Sequence, residues 1–285
     1  MNTSTQLKAL IRNLSKDLGV NPEILHRNYM LERFLERISL SNYRDQFILK
    51  GGMLIASIVG IETRSTKDLD TTVSGISLTD ADLIKVINEI LSVSINDGVN
   101  MSLKKIENIR DEADYPGIRL SIESVMDRTK QTIKIDITTG DKITPSAIEY
   151  PYKLMLEDRD IKLKAYNLET ILAEKIETTL SRGTANTRMR DFYDIHILKL
   201  SNQNTVNHEI LIKAFRETAT YRGSYEVTTG NVKEHIENIE RSEDLFRRWE
   251  QYKSRNEYVS EVTWNEVVNS LEYFTSKLGM EWQLC

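Results

Sequence analysis

The chain has 285 residues, of which 40% are hydrophobic and 28% are charged, and its formal net charge is −5. This composition supports a substantial buried core and argues against a disordered or low-complexity protein. The acidic balance argues against a surface that binds nucleic acid over its whole area, so a polyanionic partner would need a local basic patch.

Cysteine usage and the apolar runs indicate the compartment. The single cysteine, Cys285, permits no intramolecular disulfide and no thiolate metal site, which fits a reducing environment. The first residues lack the basic and then apolar pattern of a secretory signal. The longest apolar run, around residues 53–61, is far shorter than the roughly 20 residues that span a bilayer. We therefore expect a cytoplasmic protein with no membrane partner.

The first part of the chain is predicted to combine helices with short strands. Asn21 as N-cap and Pro22 in the first turn mark the start of the second helix. Alternating polar and apolar side chains before Val73 are typical of a half-buried strand. The elements predicted here are helices over 4–18 and 22–40, a strand over 47–49, a helix over 53–60 and a strand over 68–73.

The rest of the chain is predicted to form strands and then helices. Thr79 is placed to cap a helix that ends near residue 93, and the periodicity becomes helical after residue 167. The strands predicted here cover 102–106, 118–124, 131–138 and 162–166. The helices predicted here cover 168–182, 188–200, 206–220, 232–253 and 264–278.

This order of elements predicts an α+β fold, a mixed sheet flanked by helices with a helical C-terminal half. The change in pattern near residue 167 is the best domain boundary. The predicted domains are N-terminal helices packed on the core in 1–45, the sheet core in 46–167 and a helical domain in 168–285.

Two carboxylates are spaced to share a cation. Asp68 and Asp70 lie two residues apart on a predicted strand, so their side chains are expected to project from the same face. Two like charges that close need a cation, and Mg²⁺ is commonly held by one or two carboxylates together with substrate phosphates. The pair alone is weak support, because two such aspartates are also frequent on edge strands and in turns.

A glycine pair upstream strengthens this interpretation. Gly51 and Gly52 follow a buried strand and precede a helix, where unpaired backbone N–H groups accept a phosphate that meets no Cβ atom. A plain left-handed turn would also explain the glycines. Combined with Ser65, Thr66 and the two aspartates, the phosphate interpretation is favoured.

A third acid would complete a two-metal site for in-line phosphoryl displacement. Asp136 is placed for this role on the polar face of the strand over 131–138, and Asp141 is a nearby competitor. A further acidic group, for which a solvated loop is the favoured interpretation, consists of Asp111, Glu112 and Asp114.

Several motifs occur in a characteristic order. They are Phe47 to Gly52, Arg64-Ser-Thr-Lys-Asp-Leu-Asp70, Lys134-Ile-Asp-Ile137, Leu172-Ala-Glu-Lys-Ile176 and Arg188-Met-Arg-Asp-Phe-Tyr-Asp-Ile195. The first three resemble the DNA polymerase β-type nucleotidyltransferase superfamily, and specifically its AbiEii/AbiGii toxin branch. The last two are similar to helical motifs of that branch. The resemblance covers roughly residues 45–200 and implies a nucleotidyltransferase-type sheet core.

The resemblance also implies roles for individual residues. Mg²⁺ or Mn²⁺ is expected on Asp68 and Asp70, with Asp136 as third ligand. Lys175 is expected to bind the triphosphate of an NTP. The implied catalytic residues are Asp68, Asp70, Lys175 and Asp191, and the implied nucleotide-binding residues are Gly51, Gly52, Arg64, Ser65, Thr66 and Lys175.

The role of Asp191 stays open at this point. It either deprotonates the acceptor hydroxyl or holds Lys175 and Arg190 in place. Asp194 follows one helical turn later on nearly the same face, where it is either functional or an ion-pair or capping partner.

The resemblance implies transfer of a nucleoside monophosphate from an NTP to an acceptor hydroxyl, with release of pyrophosphate. By analogy, the acceptor is tRNA at its 3′ end, the activity inhibits growth, and the antitoxin is a separate transcriptional repressor. The candidate RNA-binding residues are Arg182, Arg188 and Arg190.

Three alternatives remain open from the sequence. The acceptor could be a small molecule or another protein, or the reaction could be phosphotransfer from the same NTP site. In the third alternative, the chain is a non-enzymatic helical interaction protein whose aspartates only face solvent.

Overall fold

A computed structural model describes residues 3–75, 80–110 and 116–279. The chain divides into two compact units. Unit 1 comprises Met1–Asp141 with Ala147–Tyr166, and unit 2 comprises Lys142–Ser146 with Asn167–Cys285. The predicted cap Thr79, the acidic group Asp111, Glu112 and Asp114, and Cys285 lie outside the described residues. The assignment of 1–45, 46–167 and 168–285 to separate domains stays a prediction.

Unit 1 is built on a mixed sheet, as the sequence predicted. Its described strands are β1 (Phe47–Lys50), β2 (Leu69–Val73), β3 (Asn100–Arg110), β4 (Pro116–Met126), β5 (Thr129–Thr139), β6 (Ile148–Lys153) and β7 (Asp160–Ala165). Within the described residues they form one seven-stranded sheet in the order β3-β4-β5-β2-β1-β7-β6. Strand β2 is parallel to β5 and antiparallel to β1, and β1 is parallel to β7.

Four described helices belong to unit 1. They are α1 (Ser4–Leu18), α2 (Pro22–Leu40), α3 (Gly51–Val59) and α4 (Asp80–Leu91). Helices α2, α3 and α4 pack against the sheet, and α1 packs against α2. The Asn21 side chain accepts a hydrogen bond from the Glu23 N–H at 2.8 Å, which confirms the predicted cap of α2. Helix α2 contacts β5 and β7, and α3 contacts the two strands on either side of it in sequence, β1 and β2.

The alternation along β5 separates the core from the polar face of the sheet. Ile133, Ile135 and Ile137 are fully buried, whereas Asp136 is only partly buried. Each buried isoleucine contributes about 1.5–3 kcal/mol of hydrophobic stabilisation. The core therefore fixes which face of β5 carries the carboxylate.

Two predictions in unit 1 need correction. Asp68 lies in a bend directly before β2 and not in the strand. Strand β6 was missed because Pro151 lies within it. Proline is tolerated there because β6 is the last strand of the sheet order and, in the part of the chain that the structure describes, pairs only with β7.

Unit 2 is helical. Its described helices are α5 (Leu168–Arg182), α6 (Met189–Asn202), α7 (His208–Tyr221), α8 (Tyr225–Thr229), α9 (Val232–Glu240), α10 (Glu243–Arg255) and α11 (Trp264–Gly279). Helix α5 packs against α6 and α7, and α6 packs against α11. No helix in the described ranges is both long enough and apolar enough to cross a membrane.

The predicted continuous helix over 232–253 is wrong. The chain breaks at Arg241 and Ser242, where the Ser242 hydroxyl accepts a hydrogen bond from the Leu245 N–H at 3.3 Å. Serine at this position competes with helical backbone bonding and so starts the new helix α10. The five-residue helix α8 was also missed.

Candidate active site

Four charged side chains form a row across the polar face of the sheet in unit 1. In the parallel ladder Asp70 of β2 lies opposite Asp136 of β5. Lys50 of β1 lies opposite Asp70, and Arg119 of β4 lies opposite Asp136. Side chains that are directly opposite in paired strands share one face of the sheet. The structure thus brings together two predicted carboxylates, flanked by two cations that the sequence reasoning missed.

Asp70 lies at the centre of this row. Burial raises the pKa of Asp70 above its ordinary value, and the nearby Asp136 and Asp68 carboxylates raise it as well. Lys50 and the Gly52 N–H oppose this shift, and that N–H donates to Asp70 Oδ2 at 3.3 Å. The positive charges near Asp70 therefore do not fully compensate its ionised carboxylate, and this favours binding of a cation at this position.

Asp68 is the second candidate ligand and lies close enough to act on Asp70. Its position before β2 is set by a local hydrogen bond, in which the Thr66 hydroxyl donates to the Asp68 carbonyl at 3.2 Å. The Asn28 side chain donates to the Thr66 carbonyl at 3.0 Å from helix α2. The bend that presents Asp68 is thus held from both sides.

The glycine pair allows the start of α3 to approach the acids. Gly51 has a φ of +66°, and a Cβ atom built on it would lie 2.1 Å from Asp70 Oδ2. A Cβ on Gly52 would lie 2.8 Å from Thr66 Oγ1. The plain-turn interpretation is correct for the left-handed Gly51, but both glycines are also sites of close approach. The first N–H groups of α3 lack helical partners and form a potential phosphate cradle.

Arg64 and Ser65 shape the neighbouring loop. The Arg64 side chain is only 1% exposed, and its guanidinium donates to the Ser65 carbonyl. Ser65 itself is half-buried. Arg64 therefore supports the loop from within, and the hydroxyls of Ser65 and Thr66 are the groups of this segment suited to phosphate oxygens.

Asp136, the predicted third ligand, already has a cationic partner. Arg119 Nε donates to its Oδ1 at 2.7 Å, and Arg119 Nη2 donates to its Oδ2 at 2.6 Å. Within the described residues, no group of three or more histidine, cysteine, aspartate or glutamate side chains has the geometry to hold a metal ion. Asp68 and Asp70 supply the hard oxygen donors that suit Mg²⁺ or Mn²⁺.

Asp141, the competitor for the third position, anchors Lys50. Its Oδ2 lies 2.6 Å from Lys50 Nζ and accepts hydrogen bonds from the Thr138 hydroxyl at 2.7 Å and the Tyr166 hydroxyl at 3.0 Å. Burial opposes ionisation, but the Lys50 charge and the hydroxyl groups of Thr138 and Thr72 hold the pKa of Asp141 below its ordinary value. Asp141 is thus an ionised partner of Lys50 at neutral pH.

A second cluster of predicted residues lies in unit 2. Lys175 Nζ of α5 is 2.7 Å from Asp191 Oδ1 and 2.7 Å from Asp194 Oδ2, both on α6. Arg188 Nε lies 2.5 Å from Asp191 Oδ2. The two aspartates are 2% and 0% exposed, so these ion pairs are buried. The spacing of Asp191 and Asp194 by one turn directs both at one lysine.

The charges in this cluster fix its protonation. Burial would raise the pKa of Asp191, but Lys175 and Arg188 hold it well below its ordinary range. Burial would lower the pKa of Lys175, but the two aspartates raise it. Lys175 and Asp191 are therefore both ionised at neutral pH. The predicted partner Arg190 is exposed, and Arg188 takes the contact with Asp191 instead.

The three candidate RNA-binding arginines differ in environment. Arg190 is exposed on α6, whereas Arg182 is half-buried at the end of α5. Arg188 is occupied by Asp191. Only Arg190 among these three presents an exposed side chain.

In unit 1, Asp68, Asp70 and Asp136, here called the acid row, lie at a mixed sheet beside a helix that begins at two glycines. This arrangement defines a nucleotidyltransferase-type fold. The family model for the nucleotidyl transferase AbiEii toxin, type IV TA system, matches residues 33–270. The protein therefore belongs to the AbiEii family of nucleotidyltransferase toxins, which confirms the resemblance seen in the motifs. No curated protein matches the chain in sequence.

The chain is similar to solved structures at low sequence identity. A Helicobacter pylori protein assigned as a nucleotidyltransferase is 15% identical with a TM-score of 0.50, covering 92% of this chain and 99% of its own. JHP933 from Helicobacter pylori is 15% identical with a TM-score of 0.49, covering 93% and 97%. An antigenic nucleotidyltransferase-like protein from Paracoccidioides brasiliensis is 14% identical with a TM-score of 0.37, covering 95% and 94%. At these identities the first of the three shares the fold only.

Proposed function

We propose that the protein transfers a nucleoside monophosphate from an NTP to a hydroxyl at the 3′ end of tRNA and thereby inhibits growth. The acceptor oxygen forms a bond to the α-phosphorus, the bond from the α-phosphorus to the bridging oxygen breaks, and pyrophosphate leaves. The observation that carries this proposal is the position of Asp70, which lies between Asp136 and the start of α3 and accepts the Gly52 N–H.

Asp68 and Asp70 are proposed to hold Mg²⁺ or Mn²⁺. When bound, the cation supplies charge that stabilises the phosphate oxygens during the displacement. The backbone N–H group of Gly51 and the Ser65 hydroxyl would donate to phosphate oxygens. The Gly52 N–H and the Thr66 hydroxyl, which donate to Asp70 and to the Asp68 carbonyl, would have to exchange those partners to join them. Positioning and charge neutralisation account for most of the rate enhancement in such reactions.

Lys175 is proposed to bind the NTP phosphates, with Asp191 as its positioning residue. An efficient general base needs a pKa near the working pH. The pKa of Asp191 is held far below that value by Lys175 and Arg188. This environment favours a role for Asp191 in orienting Lys175 over a role as general base. Asp194 shares the orienting role through its own ion pair with Lys175.

Two partners follow from the same proposal. Arg182 and Arg190 are proposed to contact RNA phosphates, so acceptor binding should weaken steeply as salt is added. Arg188, the third candidate, is paired with Asp191 and is proposed to position that carboxylate instead. The antitoxin of the type IV system is proposed to be a separate transcriptional repressor, acting in the cytoplasm together with the toxin.

The proposal is tested with labelled nucleotides. Purified protein is incubated with each α-labelled NTP, Mg²⁺ or Mn²⁺, and total RNA, and the expected result is label in a band of tRNA size. A parallel set with γ-labelled NTP should leave the acceptor unlabelled. Label from the γ-position would indicate phosphotransfer instead, and label in a small-molecule or protein fraction would identify another acceptor. No transfer from any of the four nucleotides would contradict enzymatic activity.

A further inference from the structure

The ion pair between Arg119 and Asp136 is fixed by the sheet itself. Arg119 lies opposite Asp136 in the antiparallel β4–β5 ladder, so the register keeps the two side chains adjacent on one face. Both carboxylate oxygens accept a hydrogen bond from the guanidinium, at 2.7 and 2.6 Å. Bidentate pairs of this kind are among the strongest hydrogen-bonded contacts in proteins. Both carboxylate oxygens of Asp136 are thus bonded to the Arg119 guanidinium.

The surrounding charges hold Arg119 in this place. Glu107 of β3 lies opposite Arg119 on the other side of β4. Asp68 and Asp70 also act on the guanidinium through space. A second divalent ion on Asp136 would have to displace Arg119 or lie against its positive charge, and both are electrostatically unfavourable.

The described carboxylates of this region that have no cationic partner carry a total charge that one divalent ion would neutralise. Four carboxylates of this region are Asp68, Asp70, Asp136 and Asp141. Lys50 is paired with Asp141 and Arg119 is paired with Asp136. Among the described residues, Asp68 and Asp70 are the members of this set with no ion pair to lysine or arginine. Their two negative charges match the charge of one Mg²⁺.

We infer that Arg119 takes the place of a second metal ion, so that the site binds a single divalent cation on Asp68 and Asp70 while Asp136 stays outside the coordination shell. Arg119 is then a positioning residue that sets the metal stoichiometry. This inference rests on the proposed function, because it concerns the cation of the same site.

The test counts bound metal and does not depend on catalysis. Mn²⁺ binding is titrated by electron paramagnetic resonance of the free ion, with the wild type and Arg119→Met compared at equal protein concentration. We expect one equivalent on the wild type and two on Arg119→Met, because that substitution frees Asp136. Asp136→Asn alone should still bind one equivalent, and Arg119→Met/Asp136→Asn should return to one.

Control variants separate this effect from misfolding. Arg128→Met removes an exposed arginine in the turn between β4 and β5 and should bind one equivalent. Arg119→Lys keeps the positive charge and should also bind one. Far-ultraviolet circular dichroism establishes whether each variant is folded. If Arg119→Met does not fold, the metal stoichiometry of Asp136→Asn still shows whether Asp136 is a ligand.

Four results would overturn the inference. Two equivalents on the wild type, or the loss of the single ion in Asp136→Asn, would make Asp136 a ligand. One equivalent on a folded Arg119→Met would show that Arg119 does not limit the stoichiometry, and in each of these cases the proposed metal-dependent function would stand. No Mn²⁺ on any variant would instead contradict the proposed cation site itself, and the inference with it.

Discussion

Gly51 is the residue that brings helix α3 against the acid row. Its left-handed backbone would cost an alanine about 1–2 kcal/mol, and a Cβ atom there would lie 2.1 Å from Asp70 Oδ2. Gly51→Ala must therefore displace the carboxylate or the turn. Since displacements near 1 Å in a site reduce rates by about 100-fold, we expect at least that loss in nucleotide transfer, measured with α-labelled NTP.

Gly19 offers a matched control for this prediction. It also has a left-handed backbone, with a φ of +69°, but nothing lies within 4 Å of a Cβ built on it. Gly19→Ala should lose a similar amount of stability through the backbone alone and keep full activity. Equal activity in the two alanine variants would show that the close approach of Gly51 to Asp70 has no functional role.

Lys175 is the residue on which the buried cluster of unit 2 depends. Lys175→Met removes the ammonium that pairs with the buried Asp191 and Asp194, while Arg188 still contacts Asp191. Breaking a buried ion pair from one side costs about 3–5 kcal/mol, and we expect a loss of that size in the free energy of unfolding by denaturant. Lys213→Met, at an exposed position on α7, should change it by less than about 0.5 kcal/mol.

A double variant separates the structural role of Lys175 from its proposed role at the phosphate. Lys175→Met/Asp194→Asn removes one buried charge of each sign, so part of the lost stability should return. Nucleotide transfer should stay absent, because the ammonium is still missing. A double variant that is stable and active would contradict the assignment of Lys175 to phosphate binding.

Residue-level reasoning recovered the acids and not their cationic neighbours. Asp136 stands out because it alternates with buried isoleucines on β5, and Asp70 because it lies between the buried Leu69 and Thr71 on β2. Arg119 has the same signal on β4, between Ile118 and Leu120, both buried. Its partner could not be derived, since that requires the register of β4 against β5.

At the scale of elements, helix α2 carries a buried carboxyl group that makes stability depend on pH. Burial raises the pKa of Glu32 from 4.5 to about 8, with smaller upward contributions from Glu157 and Glu36. Glu32 Oε1 accepts a hydrogen bond from the Met155 N–H at 3.0 Å. Because the folded chain binds this proton more tightly than the unfolded chain, the contribution of Glu32 to stability is complete below pH 4.5. It is lost as the pH rises through about 8.

Glu32→Gln tests this dependence. Glutamine keeps the acceptor for Met155 and cannot ionise, so the variant should lose the decline in unfolding free energy, on the order of 4 kcal/mol, between acidic and mildly alkaline pH. Glu23→Gln, at an exposed position of the same helix, should retain the wild-type slope. Parallel slopes for wild type and Glu32→Gln in denaturant titrations across this range would refute the role of Glu32.

Element boundaries were predictable where the signal is local. Helices α1, α2 and α5 begin and end at the predicted residues, and Asn21 and Asn167 both cap helices through their side chains. The break at Ser242 was missed because the apolar periodicity continues from α9 into α10. Strand β6 was missed for the opposite reason, since Pro151 is acceptable only at the edge of a sheet, and the strand order is a tertiary property.

At the scale of the whole molecule, the site in unit 1 depends on contacts between distant parts of the chain. Asp70 meets Asp136 only because β2 pairs with β5 in parallel. Lys50 and Asp141 likewise meet across the sheet. Motif order and the family resemblance predicted which residues are involved. The ion pairs that determine their charge state became visible only with the complete sheet.

We propose that Asp70 serves a cation and not the stability of the fold. Its raised pKa means that ionised Asp70 destabilises the metal-free chain at neutral pH. Asp70→Asn should therefore unfold at a higher temperature than the wild type in the absence of metal. The control Asp17→Asn, at an exposed position on α1, should leave both stability and activity unchanged.

The most direct measurement is the transfer of α-label from NTP to RNA by Asp70→Asn, beside the wild type and Asp17→Asn. We predict transfer by the wild type and Asp17→Asn, and a loss of at least about 100-fold in Asp70→Asn despite its higher melting temperature. Transfer by folded Asp70→Asn at the wild-type rate would contradict the account.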